Sequence, residues 1–582
     1  MVKSRAVRTT VAASLLCLTL GAAPRGSPSP AYDVIIRNGV IYDGTGNEPV
    51  HGDVAVKGDR IAAIGLNLAG SARTTIDARG RAVAPGFINM LAHPEVSLFA
   101  DGRALSDLAQ GVTLEVLGEN SMGPLTPAMQ VNMRVRQSDI HYPVTWRTLG
   151  QYMEMLERRG ISPNIASFVG AGTVRTNLLG EADVQPNTKQ LEAMRTLVRK
   201  AMEEGAVGLT TALIYSPNTY ARTPELIALA KVSAQCGGIF SAHVRNEGDR
   251  LIEAIDELVT VARASGAPGH IYHFKQSGPD NWAKIGAAVS RVEAARASGT
   301  RITADMYTYT ASATGLDAAM PPWVQDGGLE KWISRMRDPA IRERVIREMK
   351  DAHPTDWDNA YGQAGADGTL LLGFKTAALK PLTGKTLAEV AKMRGKSPEE
   401  TAIDLVIQDG TRIEVSYRGM TEANVQREVA LPWMMFDSDE AGQAPEGVFL
   451  LSNPHPRAYG NFARLLGKYV REEKRASLSE AIRRLTSLPA ETLSLKGRGT
   501  LRPGNVADIV VFDPKTITDH ATFPKPHQLA TGVSDVIVNG GIAFRNGQPT
   551  TLRSGRFVRG RAWTGAPDGG CRASASEWGW AT

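Results

Sequence analysis

Residues 238–278 read GIFSAHVRNEGDRLIEAIDELVTVARASGAPGHIYHFKQSG. Two β-rich segments, Gly238 to His243 and His270 to His273, each end on a histidine, and Arg250 to Ala264 between them carries apolar residues at helical spacing. The pattern is strand, helix, strand. Parallel strands joined by a crossover helix bring their C-terminal ends to one face of a sheet, which places His243 and His273 side by side at the mouth of a barrel. A single strand-end histidine is more often structural than a ligand. Two neighbouring imidazoles, with Lys275 beside the second, suggest a metal.

Working outward, the same alternation of strand and helix recurs. Candidate strands are Gly86 to Met90, Gly111 to Leu117, Asn164 to Val169, Val207 to Thr211, Gly238 to His243, His270 to His273, Arg301 to Met306 and Trp433 to Ser438, with amphipathic segments such as Lys189 to Glu204 between them. Eight such units predict a (β/α)₈ TIM-like barrel over residues 85–490. The gap between Met320 and Leu431 is too long for one helix and one loop, so an inserted α/β subdomain is expected around 321–430. Ser397 with Glu400, and Ser477 with Glu480, mark helix starts with capping boxes.

The flanks have a different texture. Residues 32–84 (YDVIIRNGVIYDG, then GDVAVKGDRIAAIG) and residues 491–563 (including GTLRPGNVADIVVFDP and SDVIVNGGIAFRNG) alternate apolar and polar positions between glycine turns. The two ends are expected to build one small β-sandwich. Residues 564–582, small and polar, are expected to form a mobile tail.

Among 582 residues, 66 Lys and Arg nearly balance 60 Asp and Glu, and no dense basic run follows the N-terminus, so nothing supports nucleic-acid binding. Lys3, Arg5 and Arg8 precede an apolar run from Val11 to Leu20, and Gly21, Ala22 and Ala23 follow it. Residues 1–23 therefore read as a secretory signal peptide, with a soluble, exported mature protein cut near Ala23 and no membrane span. Past the signal only Cys236 and Cys571 remain. A disulfide between them is not expected, and no cysteine cluster offers a zinc site.

The motif order APGFINM, QGVTLEVLGE, SAHVRNEG, HIYHFK, ADMYTYTASATGL, FDSD, HPRAYG and RPGNVADIVVFDP resembles the amidohydrolase superfamily, within it the N-acyl-D-amino-acid deacylase (D-aminoacylase) branch. The resemblance runs from about residue 32 to about residue 563. It implies a metal-dependent hydrolase of a small, carboxylate-bearing substrate, with Zn²⁺ as cofactor; it leaves the oligomeric state open. Glu119 stands where D-aminoacylases place a cysteine ligand, a replacement zinc tolerates. His243 and His273 match the two histidine ligands. Asp439 matches the strand-eight aspartate that takes a proton from the attacking water and returns it to the leaving amine. Lys275, Tyr307 and Arg457 match substrate-holding positions, and the Arg457 fork suits a carboxylate. Tyr215, in LIYSPNTYA, is a candidate pocket wall, Tyr309 a packing residue, and Ala313 stands where relatives have a serine.

The chain departs from the pattern at the first strand. Amidohydrolases commonly carry PGFIDxHxH; here PGFINMLAH puts Asn89 for the aspartate and Leu91 for the first histidine. His93 survives, as a packing group, a hydrogen-bonding group or a ligand. Loss of the pair implies one metal ion per chain. Two alternatives stay open: the same barrel cutting a cyclic amide, lactone or dipeptide, and a non-catalytic binding protein.

Overall fold

The computed structural model describes residues 1–2 and 30–572. All but the first two residues of the expected signal peptide, and the chain beyond 572, lie outside the described residues. No helix among the described residues is long and apolar enough to cross a membrane.

The fold is a mixed α/β structure of TIM-barrel type. Strands Phe87–Ala92, Val112–Leu117 and Asn164–Ser167 pair in parallel; Val169–Gly170, Gly208–Ala212, Ile239–His243, Gly269–Ile271, Ile302–Met306 and Met434–Phe436 form a second parallel run. Residues 164–170 belong to both runs. The ends of the ring meet where Asp439 N–H donates to Leu91 O (2.9 Å) and His93 N–H donates to Glu440 O (2.9 Å). These strands are buried on both faces, which explains why they read as short, nearly continuous apolar runs bounded by glycine. Leu91, Leu114, Val116, Phe168, Ile239, Tyr272 and Met435 form one core cluster. Leu91, where the usual motif has a histidine, is thus a fully buried core residue.

The helix expected over 250–264 is Leu251–Ser265; Leu251, Ala254, Ile255, Leu258, Val261 and Ala262 are buried in the larger core. Burying each Leu or Ile contributes about 1.5–3 kcal/mol. Gly266, at φ 78°, ends it in a left-handed turn.

The two flanks, expected to build one small β-sandwich, meet in a single nine-stranded hydrogen-bonded sheet. Ile509–Phe512 pairs antiparallel with Ala82–Pro85, which runs straight into the first barrel strand. Val34, Ile36, Val54, Val56, Ile509, Val511 and Ile537 form its own core.

A separate three-stranded antiparallel sheet lies outside the parallel runs. It comprises Ser312–Gly315, Glu414–Tyr417 and Thr369–Gly373, with the ASATG segment as an edge strand. Four residues carry too little periodicity to disclose this. Ser397 and Glu400 form the full capping box. At Ser477 only half forms: its hydroxyl accepts from Glu480 N–H, while the Glu480 carboxylate binds Arg483 at 2.7 Å.

The expectation of unpaired cysteines is corrected, and of the expected mobile tail the described residues 564–572 are packed on the barrel while the rest lies outside the described residues. Residues 556–572 run along the N-terminal ends of the barrel strands: Val558 N–H donates to Ile165 O (2.8 Å), Gly560 N–H to Gly205 O (2.9 Å) and Arg572 N–H to Gln235 O (2.9 Å). Cys236, capping the helix Thr223–Gln235, is disulfide-bonded to Cys571. Small residues here reflect close packing, since a Cβ at Gly555 would collide with the Pro163 carbonyl. A pairing across 335 residues leaves no local sequence signal.

Candidate metal centre and catalytic pocket

The C-terminal strand ends carry the chemistry. Glu119 follows Val112–Leu117, His243 closes Ile239–His243, His273 follows Gly269–Ile271, and Asp439 follows Met434–Phe436. Glu119, His273 and Asp439 have left-handed backbones, with φ of 60°, 37° and 47°. Such a conformation costs a non-glycine residue of order 1–3 kcal/mol, which the rigid strands below sustain, and it turns each side chain inward over the barrel mouth.

His243 Nδ1 lies 2.8 Å and His273 Nε2 3.2 Å from Glu119 Oε1, and the three ligand atoms lie within 4.8 Å of one another. The rings meet edge to face, centroids 4.4 Å apart. Two imidazole nitrogens converging with a carboxylate fit a divalent, zinc-like ion with a position left for a further ligand. Burial would raise the Glu119 carboxyl, but the hydrogen bonds from both histidines outweigh it and hold it well below the usual range.

Glu247 lies behind the histidines. Lys275 Nζ donates to Glu247 Oε1 at 2.7 Å, and His273 Nδ1 is 3.0 Å from the same oxygen. Glu247 N–H donates to Asp358 Oδ2 (2.6 Å), tying this loop to the insertion.

Asp439 links the centre to the substrate pocket. Its Oδ1 is 3.1 Å from His93 Nε2 and its Oδ2 2.8 Å from Arg457 Nη2. Burial pulls its carboxyl up; the Arg457 guanidinium and the His93 hydrogen bond pull it down further, leaving it below the ordinary aspartate value. Asp439 starts no helix and is not an N-cap. His93 has a hydrogen-bonding role; it also sits 4.0 Å from Glu119 Oε2. Asn89 replaces a carboxylate with a tether: its amide donates to Ser438 Oγ (2.7 Å) and accepts from Ser438 N–H (2.9 Å), fixing the strand that presents Asp439.

Arg457 is 1% exposed, stacks 4.3 Å from the Tyr307 ring, and buries Nε and Nη1 without a hydrogen-bond partner; the buried Tyr307 hydroxyl also lacks one. Unpaired buried polar groups are costly unless a ligand satisfies them. Arg457 and Tyr307 line a cavity of about 670 Å³ together with Glu119, His243, His273 and Asp439. Tyr215 forms its wall, edge-on to His243 at 5.2 Å with its hydroxyl 2.6 Å from Thr314 Oγ1. Tyr309 is a packing residue, buried against His455 and Arg464.

The eight residues given metal, catalytic or substrate-binding roles from the sequence all line this cavity. Sequence reasoning missed Glu247, Asp358 and Arg412. Arg412 lies 4.9 Å from the Tyr215 ring and donates to Asp317 (3.0 Å) and Thr314 (3.1 Å). Of these, only Glu247, four residues past His243 in RNEG, had a readable signal.

A three-donor cluster at barrel strand ends, with a second carboxylate one histidine away, is the apparatus of a metal-dependent hydrolase. Comparison with known proteins agrees. Residues 74–544 match the family described as the amidohydrolase family. N-acyl-D-glutamate deacylase of Alcaligenes xylosoxydans xylosoxydans is 32% identical over 538 residues, 92% of this chain and 98% of that one. A crystal structure of N-acyl-D-glutamate deacylase from Bordetella bronchiseptica, complexed with zinc and a phosphonate mimic of the tetrahedral intermediate, superposes with TM-score 0.75 at 29% identity, covering 91% and 99% of the chains. A D-aminoacylase structure, described by its binuclear metal centre with one-metal activation and second-metal attenuation, gives TM-score 0.75 at 30% identity, covering 91% and 100%. The chain belongs to the amidohydrolase family, on its N-acyl-D-amino-acid deacylase side.

Proposed function

We propose that the protein hydrolyses the amide bond of N-acyl amino acids of the D series, releasing a carboxylate and the free amino acid, at one zinc ion held by Glu119, His243 and His273. The observation that carries this reading is that Arg457 and Tyr307, each with a buried polar atom that has no hydrogen-bond partner, line the same cavity as the three-donor cluster. The named relatives act on such substrates, and a free carboxylate satisfies those donors where a lactone or cyclic amide would not.

When bound, the ion supplies Lewis acidity, polarising the scissile carbonyl and acidifying the attacking water. Arg457, with Tyr307, holds the substrate carboxylate and fixes the amide over the barrel mouth. Asp439, kept ionised by Arg457, takes a proton from the attacking water and hands it to the departing nitrogen. His93, donating to Asp439 Oδ1, keeps that carboxylate oriented. Tyr215 walls the cavity beside His243 and excludes bulk water from that side. The division into residues 32–84 and 491–563 as support and 85–490 as catalytic barrel, and export through the N-terminal signal, belong to the same reading.

A panel of N-acyl-D- and N-acyl-L-amino acids tests it. Release of free amino acid from the D series, abolished by chelation and restored by zinc, is the expected outcome. Inactivity of zinc-loaded protein across the panel would refute it.

A further inference from the structure

Arg457 is the first residue of the helix Arg457–Arg464, so its own N–H is one of the donors that no turn of that helix can satisfy. Pro456, just before it, offers no polar side chain. The acceptor comes from one residue further back: Arg457 N–H donates to His455 Nδ1 at 3.0 Å. The other ring nitrogen, Nε2, lies 3.0 Å from the Ala311 carbonyl oxygen. A backbone N–H can only donate and a carbonyl can only accept, so these two partners leave one arrangement: Nδ1 bare, Nε2 protonated and the ring neutral. Burial and the neighbouring Arg457 charge hold His455 well below the usual histidine range, in keeping with that state. The segment that the ring grips also borders the pocket. Ala311 precedes the edge strand Ser312–Gly315, and Arg457 Nη2 donates to Ala313 O at 3.4 Å as well as to Asp439 O at 2.7 Å. His455 N–H donates to Glu440 Oε1 at 3.2 Å, one residue past Asp439.

We propose that His455 is a positioning residue for Arg457: its Nδ1 holds the backbone N–H of Arg457, its Nε2–H braces the ring against Ala311, and together they set where the guanidinium stands between Asp439 and the cavity. The proposal rests on the reading of Arg457 as the group that holds the substrate carboxylate. Placement matters there, because a shift of about 1 Å in a substrate-positioning group can cost about 10²-fold in rate.

A simpler role would be packing, since the buried ring stands edge-on to Tyr309 (centroids 5.4 Å apart) and to Phe523 (4.8 Å). Two variants separate the roles. His455→Asn loses the ring but keeps an acceptor near the place of Nδ1; His455→Gln loses the ring and carries its amide out to the place of Nε2, leaving Arg457 N–H without an acceptor. Both are read by kcat/KM on an N-acyl-D-amino acid and on its methyl ester. His455→Gln should fall about 10- to 100-fold on the free acid and less on the ester, with His455→Asn closer to wild type. In an Arg457→Ala background the same change should add nothing, because its effect passes through the guanidinium. Equal losses in the Asn and Gln variants, equal losses on acid and ester, or a full additional loss on top of Arg457→Ala overturns the proposal. Where His455→Gln does not fold, ¹⁵N NMR of the wild-type, full-length protein carries the test. A neutral His455 ring with bare Nδ1 and protonated Nε2 from about pH 5 to 8 is expected; Nδ1–H or an imidazolium in that range overturns the proposal. Arg457→Ala with wild-type turnover of the free acid would instead remove the carboxylate reading of Arg457, and this proposal with it.

Discussion

Arg457 Nη2 lies 2.8 Å from Asp439 Oδ2 and 2.7 Å from the Asp439 carbonyl oxygen, while Nε and Nη1 of the same guanidinium remain without partners. One side chain therefore touches both the proposed proton-transfer carboxylate and the cavity, which changes what its removal should do. From sequence, Arg457→Ala is expected to weaken catalysis mainly for substrates with a free carboxylate. With the ion pair in place, both the free acid and its methyl ester should lose kcat/KM, the acid more. Arg457 holds Asp439 below its ordinary range. Without it the carboxyl rises, the base form is lost at higher pH, and the acid limb of the pH profile should move upward. A profile unchanged in position would count against the pairing.

His243 and His273 each contribute one inward nitrogen. Replacing either with alanine should remove tightly bound zinc, while wild-type protein carries close to one ion per chain, because Leu91 offers no ligand where the usual motif has a histidine. Elemental analysis of purified protein checks this; two tightly held ions in wild type would mean that His93 and Asp439 recruit a second.

How much of this was legible in the sequence follows from how local each feature is. The barrel strands were placed to within a few residues, because strands buried on both faces read as apolar runs ending at glycine, and the helix Leu251–Ser265 shows its stripe of buried positions. Glu119, His243, His273 and Asp439 were legible as candidates because each sits at a strand end. Features made by distant segments were not legible. The junction of Ile509–Phe512 with Ala82–Pro85, the edge strand Ser312–Gly315 and the Cys236–Cys571 bond depend on partners far along the chain. Glu247 had a readable place in SAHVRNEG, but its contacts with His273 and Lys275 arise only in the fold.

The C-terminal segment gives a test of stability separate from chemistry. It contacts the N-terminal ends of the strands, the opposite end from the catalytic pocket. Cys571→Ser, or reduction, should cost about 2–4 kcal/mol and lower the melting temperature. Zinc content and kcat at moderate temperature should be unaffected. Loss of zinc on reduction would show that the strap reaches the site.

Glu428 gives a pH test. It is 1% exposed, and burial pushes its carboxyl up to about 8. Its unfolded value is about 4.3, so the folded state prefers the protonated form. The stability it contributes is full below that value and is lost as pH rises through 8. Glu428→Gln should therefore raise the melting temperature at pH 8–9 and change it little near pH 4; an equal effect at both would contradict the assignment.

The central claim is that Asp439 moves protons and does not hold the metal. Asn retains the shape, and the Arg457 contact to the residue 439 carbonyl survives the change, so Asp439→Asn should fold and keep its zinc. It can neither accept the proton of the attacking water nor return it to the amine. The direct measurement is turnover of an N-acyl-D-amino acid by Asp439→Asn protein of verified zinc content. A fall of at least about 10²- to 10⁴-fold is the predicted result; near-normal turnover by the zinc-loaded variant would contradict the account.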